Sequence, residues 1–378
     1  MRDQAELETA DSSALGARPA QFSSPLDENR LNVIELAVPG SRYGRACRAA
    51  LACTALQAIQ SGGGPRGEVS NQSIVGGYDP APPNTIIPGY QTWLDSLGFD
   101  GNGVVVSVVD GGIRTTHLDV ASRMLACVPS GASPTSCTSS IDSHGTHVAA
   151  AIAGTGASGV LRNGLSCAAR ASRPGANIVR QVYDNFLGGG PGQMIADGML
   201  KIYKESALSG AVLTNNSWGP TGSPQGYDIP TQQVDMVIRD ANPDEAGNQQ
   251  IQNVWSIMNG GGDGFGACAP SSLGSPDEAK NLFAVGSTAL QTGSGAQVGQ
   301  IFNVSSNSAH GNACDGRRVP SIVAPGCNTD SATAGSDTSF DFYMCGTSMA
   351  SPVVTGASAV FVEKYRSRAC RTPRPVRR

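Results

Sequence analysis

With 378 residues, 39% of them hydrophobic and 15% charged, the chain has enough length and apolar content for one large α/β domain beside a smaller segment. Its formal net charge of −4 gives it no general affinity for nucleic acid or for an anionic membrane surface. No run of about eighteen apolar residues marks a transmembrane helix.

Residues 1 to about 75 have mixed polarity, no repeat and a glycine cluster at Gly62-Gly63-Gly64, so no fold is forced on them. Met1 to Ala20 is polar and lacks the apolar segment of a signal peptide. Ala46 to Ile59, flanked by Arg42, Arg45 and Arg48, reads as an amphipathic helix. A proline-rich link, Pro80 to Pro88, leads to a short helix at Gln91 to Leu94.

Val104 to Val109 is continuously apolar apart from Ser107, the pattern of a parallel strand buried on both faces. Asp110 then stands at its C-terminal edge, where open α/β sheets bind ligands. Cys127 and Cys137 enclose a turn-rich loop. Asp142-Ser143-His144-Gly145-Thr146-His147-Val148-Ala149 follows, leading into an alanine-rich helix, Val148 to Ala153, with Gly154 as its cap. The glycine between the two histidines, the apolar helix after them and the lack of a nearby glutamate argue against a zinc motif. The ten cysteines show no zinc spacing either.

Residues 155 to 174 read as loop. Asn177 to Tyr183 reads as a strand, followed by a helix with Met194, Ile195, Met199, Leu200, Ile202 and Tyr203 at helical spacing, methionines that belong to the core. The strand Ala211 to Asn215 ends in Asn216-Ser217-Trp218-Gly219. After a helix near Thr231 to Asp240, the strand Asn253 to Met258 ends in Asn259-Gly260-Gly261-Gly262. Leu282 to Ser287 and Ser321 to Pro325 are two further short strands. Gly346-Thr347-Ser348-Met349-Ala350-Ser351-Pro352 precedes the apolar run Val353 to Val362, so a helix should begin near Ser348. A serine at that point caps the helix or, since free N–H groups and the dipole stabilise an oxyanion there, acts as a nucleophile.

Three of these stretches together resemble the signatures of the subtilisin-like serine peptidases: Val104 to Ile113 around Asp110, Asp142 to Ala149 around His144, and Gly346 to Pro352 around Ser348. They stand in that family's order of Asp, His and Ser, and the resemblance covers roughly residues 85 to 365. It implies an α/β fold with a mainly parallel sheet of about six or seven strands and helices on both faces. It implies a nucleophile at Ser348, a base at His144, an orienting carboxylate at Asp110 and an oxyanion donor at Asn259. Ser217, Trp218 and Gly219 would form the edge that pairs with an extended peptide. The resemblance further implies a polypeptide substrate, a monomer, and calcium as the one cofactor common in the family, with no ligand set visible here.

Residues 1–79 take the place of a propeptide, 80–365 that of the peptidase domain, and 366–378 form a basic tail with Arg366, Arg368, Arg371, Arg374, Arg377 and Arg378. Two cysteine pairs sit in short Gly/Pro/Ser-rich segments, Cys127 with Cys137 and Cys314 with Cys327, a pattern that favours disulfides and a secreted or cell-envelope location. The chain departs from the family at Gly111, where Thr or Ser is usual, and at Met258, where a small residue is usual. A catalytically dead relative that binds peptides is therefore the alternative. An esterase of the Gly-x-Ser-x-Gly type is disfavoured, since Gly346-Thr347-Ser348-Met349-Ala350 lacks the second glycine.

Overall fold

The computed structural model describes residues 96–159, 161–162, 166–167, 175–188, 194–219, 226–260, 273–289, 304 and 307–369, with two short stretches nearer the N-terminus. The chain divides into two compact units, Met1–Gly62 and Gly63–Arg378. In the first, the described residues form one antiparallel pair, Arg18–Pro19 with Leu36–Ala37. The helices expected at Ala46 to Ile59 and Gln91 to Leu94 lie outside the described residues. All that follows concerns the second unit.

Its centre is a seven-stranded sheet in which every neighbouring pair is parallel. We number the strands β1 (Val105–Asp110), β2 (Met124–Leu125), β3 (Asn177–Val182), β4 (Leu213–Asn216), β5 (Gln252–Ser256), β6 (Phe283–Ala289) and β7 (Ile322–Cys327). Their order across the sheet is β7-β6-β5-β4-β1-β3-β2, so β1 is flanked on both sides. The helices are α1 (Leu118–Ala121), α2 (Ser143–Ala153), α3 (Gly198–Leu208), α4 (Ile229–Val237) and α5 (Thr347–Ala369).

The two-residue period of β1 divides the core. Val106 and Val108 pack with Val148, Ala149 and Ile152 of α2 and Ala359 of α5, whereas Val109 packs with Met199, Ile202 and Tyr203 of α3 and Val234 and Val237 of α4. Each fully buried valine is worth about 1.5–3 kcal/mol relative to exposure. Asp110 continues the register of Val106 and Val108, which brings its carboxylate to the α2 face. Ser107, the one polar residue inside the strand, is buried and hydrogen-bonded to Gln181 of β3.

Helix α2 begins earlier than its apolar run suggests, because Asp142 caps it by accepting from Gly145 N at 2.8 Å. Helix α5 runs on past Val362 to Ala369, through the arginines at 366 and 368. Within the stretch read as loop from 155 to 174, Leu161–Arg162 and Ser166–Cys167 form a short antiparallel ladder.

Cys127 and Cys137 are disulfide-bonded. The other expected pairing is corrected: Cys327 is bonded to Cys345, and Cys314 belongs to a separate disulfide. The reason is a hairpin that the sequence reading missed, β8 (Thr329–Ala332) with β9 (Phe340–Met344). Its register sets Thr329 opposite Met344 and so returns Cys345 to the end of β7.

Candidate active site

The C-terminal ends of β1 and β4 and the N-terminal ends of α2 and α5 meet at one place. Glycines make this approach feasible. A Cβ at Gly145 would lie 2.1 Å from Gly112 O and 3.0 Å from Asp110 Cβ, so only glycine lets α2 start this close to β1.

His144 Nδ1 lies 2.9 Å from Asp110 Oδ1 and 3.1 Å from Oδ2. The carboxylate also accepts from Gly111 N at 2.8 Å, a backbone donor at the residue where the usual hydroxyl is missing. Asp110 is buried, and burial pushes its carboxyl upward, helped by the charge of Asp142; the hydrogen bond and charge of His144 and the Gly111 N–H pull it back without cancelling the rise. Burial works against the charged form of His144, yet the Asp110 bond and the charges of Asp110 and Asp142 prevail and hold its pKa above the usual value of 6.5. Asp142 therefore both caps α2 and raises His144. His147, one turn on, is buried and pushed down to about 4 by that burial, so it stays neutral, and its backbone carbonyl accepts from Ser331 Oγ.

Ser348 is the second residue of α5. Its Oγ donates to Ser217 O at 3.0 Å, and Ser217 Oγ donates to Ser348 O at 2.9 Å. Asn215 of β4 fixes this junction: its Nδ2 donates to Ser217 Oγ, and its Oδ1 accepts from Ser351 and Thr355 of α5. Ser348 is thus tied to the β4 edge and makes no hydrogen bond to His144. The two halves of the site face each other across Ser217, which with His144 lines a cavity of about 500 Å³. Asp110, Asp142, Asp184, Tyr183, Trp218 and Gly219 complete most of its wall. The Tyr183 and Trp218 rings stack there at 4.3 Å.

Asn259 is exposed, and its Oδ1 accepts from Thr347 N at 2.9 Å. The Thr347 N–H requires an acceptor, so the amide orientation follows and Nδ2 is left as the outward donor. The neighbouring Met258 has a positive φ of 68° and lies against Gly219, where a Cβ would come within 2.8 Å of its Sδ. Trp218 O accepts from Trp255 Nε1 at 3.0 Å and Ser217 O from Ser348 Oγ, so Ser217 O becomes available only when the Ser348 hydroxyl turns away.

The structure therefore joins Asp110 to His144, Ser348 to Ser217, and Asn259 to the start of α5. The sequence reading missed Asn215 and Asp142 as parts of this arrangement; the signals were a polar residue at the end of an apolar strand and an Asp three residues before a helical glycine. Asp110, Asp142 and His144 are also the one cluster of three metal-ligand types among the described residues. Two carboxylates and an imidazole do not offer the six to eight oxygens that calcium takes, and His144 is already engaged, so no calcium is assigned there.

Comparison with known proteins identifies the family. The model of the subtilase family matches residues 101–378. The chain is 30% identical to Subtilisin E of Bacillus subtilis (strain 168) over 275 residues, 72% of this chain and 58% of that protein, so it spans less than two thirds of that relative's length. It is 31% identical to Subtilisin of Bacillus pumilus over 275 residues, 72% of this chain and 81% of that protein. A solved structure of a cold adapted subtilisin-like serine proteinase aligns at 23% identity and a TM-score of 0.46, covering 70% of this chain and 77% of that one. With a matched model over most of its length and three motifs in the family's order, the chain belongs to the subtilase family.

Proposed function

We propose that this chain is a serine endopeptidase that hydrolyses peptide bonds through an acyl-enzyme. The observation that carries the reading is His144 Nδ1 on the buried Asp110 carboxylate, which leaves Nε2 as the free base facing the cavity. Rotation about the Ser348 Cα–Cβ bond releases its hydroxyl from Ser217 O. His144 then takes the Ser348 proton as Oγ attacks the carbonyl, and returns it to the leaving amine as the C–N bond breaks. A water deprotonated by His144 next attacks the Ser348 ester, releasing the acid while His144 returns the proton to Oγ. The Ser348 N–H, among the free donors of the first turn of α5, and Asn259 Nδ2 receive the oxyanion. An extended peptide pairs with Ser217 and Gly219.

A second reading has one observation in its favour: Ser348 Oγ is hydrogen-bonded away from His144, as a dead, peptide-binding relative would allow. Incubation with a denatured protein, followed by mass spectrometry of new termini, separates the two. Cleavage that disappears in Ser348→Ala supports the peptidase; peptide binding without cleavage supports the relative.

The remaining parts of the reading follow the same lines. Residues 1–79 act as a propeptide, 80–365 as the peptidase domain and 366–378 as a basic tail. The protein works as an exported monomer, and what supports export is the disulfides. Among the described residues, no helix is long and apolar enough to cross a membrane.

A further inference from the structure

The proposed mechanism uses Asp110 and leaves a second fully buried carboxyl without a role. Asp277 has no exposed surface. Its Oδ2 accepts one long hydrogen bond from Gly274 N at 3.3 Å, and its Oδ1 has no partner. Buried polar atoms of this kind are rare in folded proteins and costly when unpaired.

Its position suggests the use. A Cβ built on Gly219 would lie 3.9 Å from Asp277 Oδ1 and 2.8 Å from Met258 Sδ. Gly219 therefore packs against the Met258 thioether, with the buried Asp277 carboxyl close behind it. The same Gly219 is two residues from Ser217, whose carbonyl holds Ser348 Oγ, and Met258 adjoins Asn259. On the peptidase reading, on which this inference rests, the attacked carbonyl lies between these two segments. The side chain of the residue that bears it then meets the Met258 thioether, which must swing aside for it to reach Asp277.

We propose that displacement of the Met258 thioether opens a pocket here for a cationic side chain, with Asp277 as its counter-charge, so that the enzyme cleaves polypeptides after arginine or lysine.

The surroundings fit a visiting cation. The nearby resident cations are engaged elsewhere: Lys280 Nζ sits 4.7 Å over the Tyr227 ring, and Arg317 pairs with Asp315. Glu278 does not compete for the ligand, since its oxygens accept from Gly226 N and Cys314 N. Burial and the Glu278 charge hold the Asp277 carboxyl well above the usual range, so it is neutral until an incoming cation restores its ionised form. On the other side of the Ser217–Gly219 edge, Asp110, Asp142 and Asp184 line the cavity with His144 as its one basic group. A cationic peptide is therefore drawn to this edge from the cavity side, and Asp277 takes up its charge only on contact. Met258 is the adaptable gate, an unbranched thioether held at positive φ.

The test uses the full chain and peptides acyl-Ala-Ala-X-amide with X as Arg, Lys, Leu or Ala. Expected is a kcat/KM for Arg or Lys about 10²-fold above Leu, a ratio that Asp277→Asn cuts by about 10²-fold, the scale for truncating one partner of a buried charge pair. A ratio near one, or one that Asp277→Asn leaves unmoved, overturns the pocket. Should Asp277→Asn fail to fold, Met258→Gly, which also relieves the positive φ, is expected to raise kcat/KM for Arg and keep the preference; a switch to Leu overturns it. An equilibrium arm separates this proposal from the peptidase reading. The Ser348→Ala chain should bind acyl-Ala-Ala-Arg at least ten times more tightly than acyl-Ala-Ala-Leu even if the wild type never turns over. Equal affinities overturn the pocket whatever the fate of the catalytic reading.

Discussion

Glu205 and Asp277 are both fully buried carboxyl groups, yet their surroundings are opposite. Glu205 on α3 accepts from Ser130 N, Ser130 Oγ, Thr135 Oγ1, Ser136 N and Ser136 Oγ, and so clamps the Cys127–Cys137 loop onto the sheet layer. Asp277 has one long bond and an oxygen with none. A carboxylate supplied with all its donors is part of the scaffold; one left short is, on the proposal above, completed by a group that comes from outside. The loop region around Glu205 should therefore answer to mutation in stability. The edge around Ser217, Met258, Asn259 and Asp277 should answer in chemistry.

The largest effect belongs to the edge. Asn259→Ala should lower turnover by about 10²–10³-fold, the loss known for this type of donor in subtilisin, with little change in KM or in melting temperature. Near-normal turnover in steady-state kinetics would show that another donor serves the oxyanion. On the loop side, Glu205→Ala strands several buried donors at once and should cost about 3 kcal/mol or more in denaturant unfolding. The protein that remains folded should keep its kcat; a lost kcat at full stability would reverse the comparison.

Asp277→Asn sharpens it through pH. The folded carboxyl is raised well above 3.8, so the native state holds a proton that the unfolded chain releases, and wild-type stability falls as pH rises through that interval. The variant lacks this term, while the upward shift of Asp110 is common to both and cancels. Unfolding of the two proteins in a Ser348→Ala background should diverge above pH 3.8 in the variant's favour, by at most about 1.4 kcal/mol per pH unit. Parallel curves would mean that Asp277 is not held neutral.

Asp142→Asn should have the smallest effect. Asparagine keeps the cap on α2 and removes a charge that raises His144, so the acid limb of kcat/KM should move to lower pH. An unmoved limb would show that Asp110 alone sets the histidine.

How much of this was legible in the sequence follows the same division. Six of the seven strands of the sheet and the meeting of Asp110 with His144 could be read, because apolar runs and short motifs at strand and helix ends are local patterns; the two-residue edge strand Met124–Leu125 was too short to announce itself. The edge and the loop clamp could not. Asp277 stands in Ser275-Pro276-Asp277-Glu278, which reads as a solvated turn, and Glu205 stands on a helix whose spacing marks only its apolar face. The Cys127–Cys137 bond follows from closeness in sequence, whereas Cys327–Cys345 depends on a hairpin register that no local pattern announces. At Gly111, where the family usually has a hydroxyl, the backbone N–H holds the Asp110 carboxylate, a contact that no side-chain pattern signals.

The central claim is that Asp110, His144 and Ser348 act as one unit, and covalent labelling tests it most directly. An organophosphonate should modify Ser348 alone and stoichiometrically. The rate should rise with pH through a midpoint above 6.5, since His144 must lose its proton to act as the base. His144→Ala should abolish the reaction while circular dichroism stays that of the wild type. A folded wild-type chain that never reacts, or labelling that survives His144→Ala, would contradict the account.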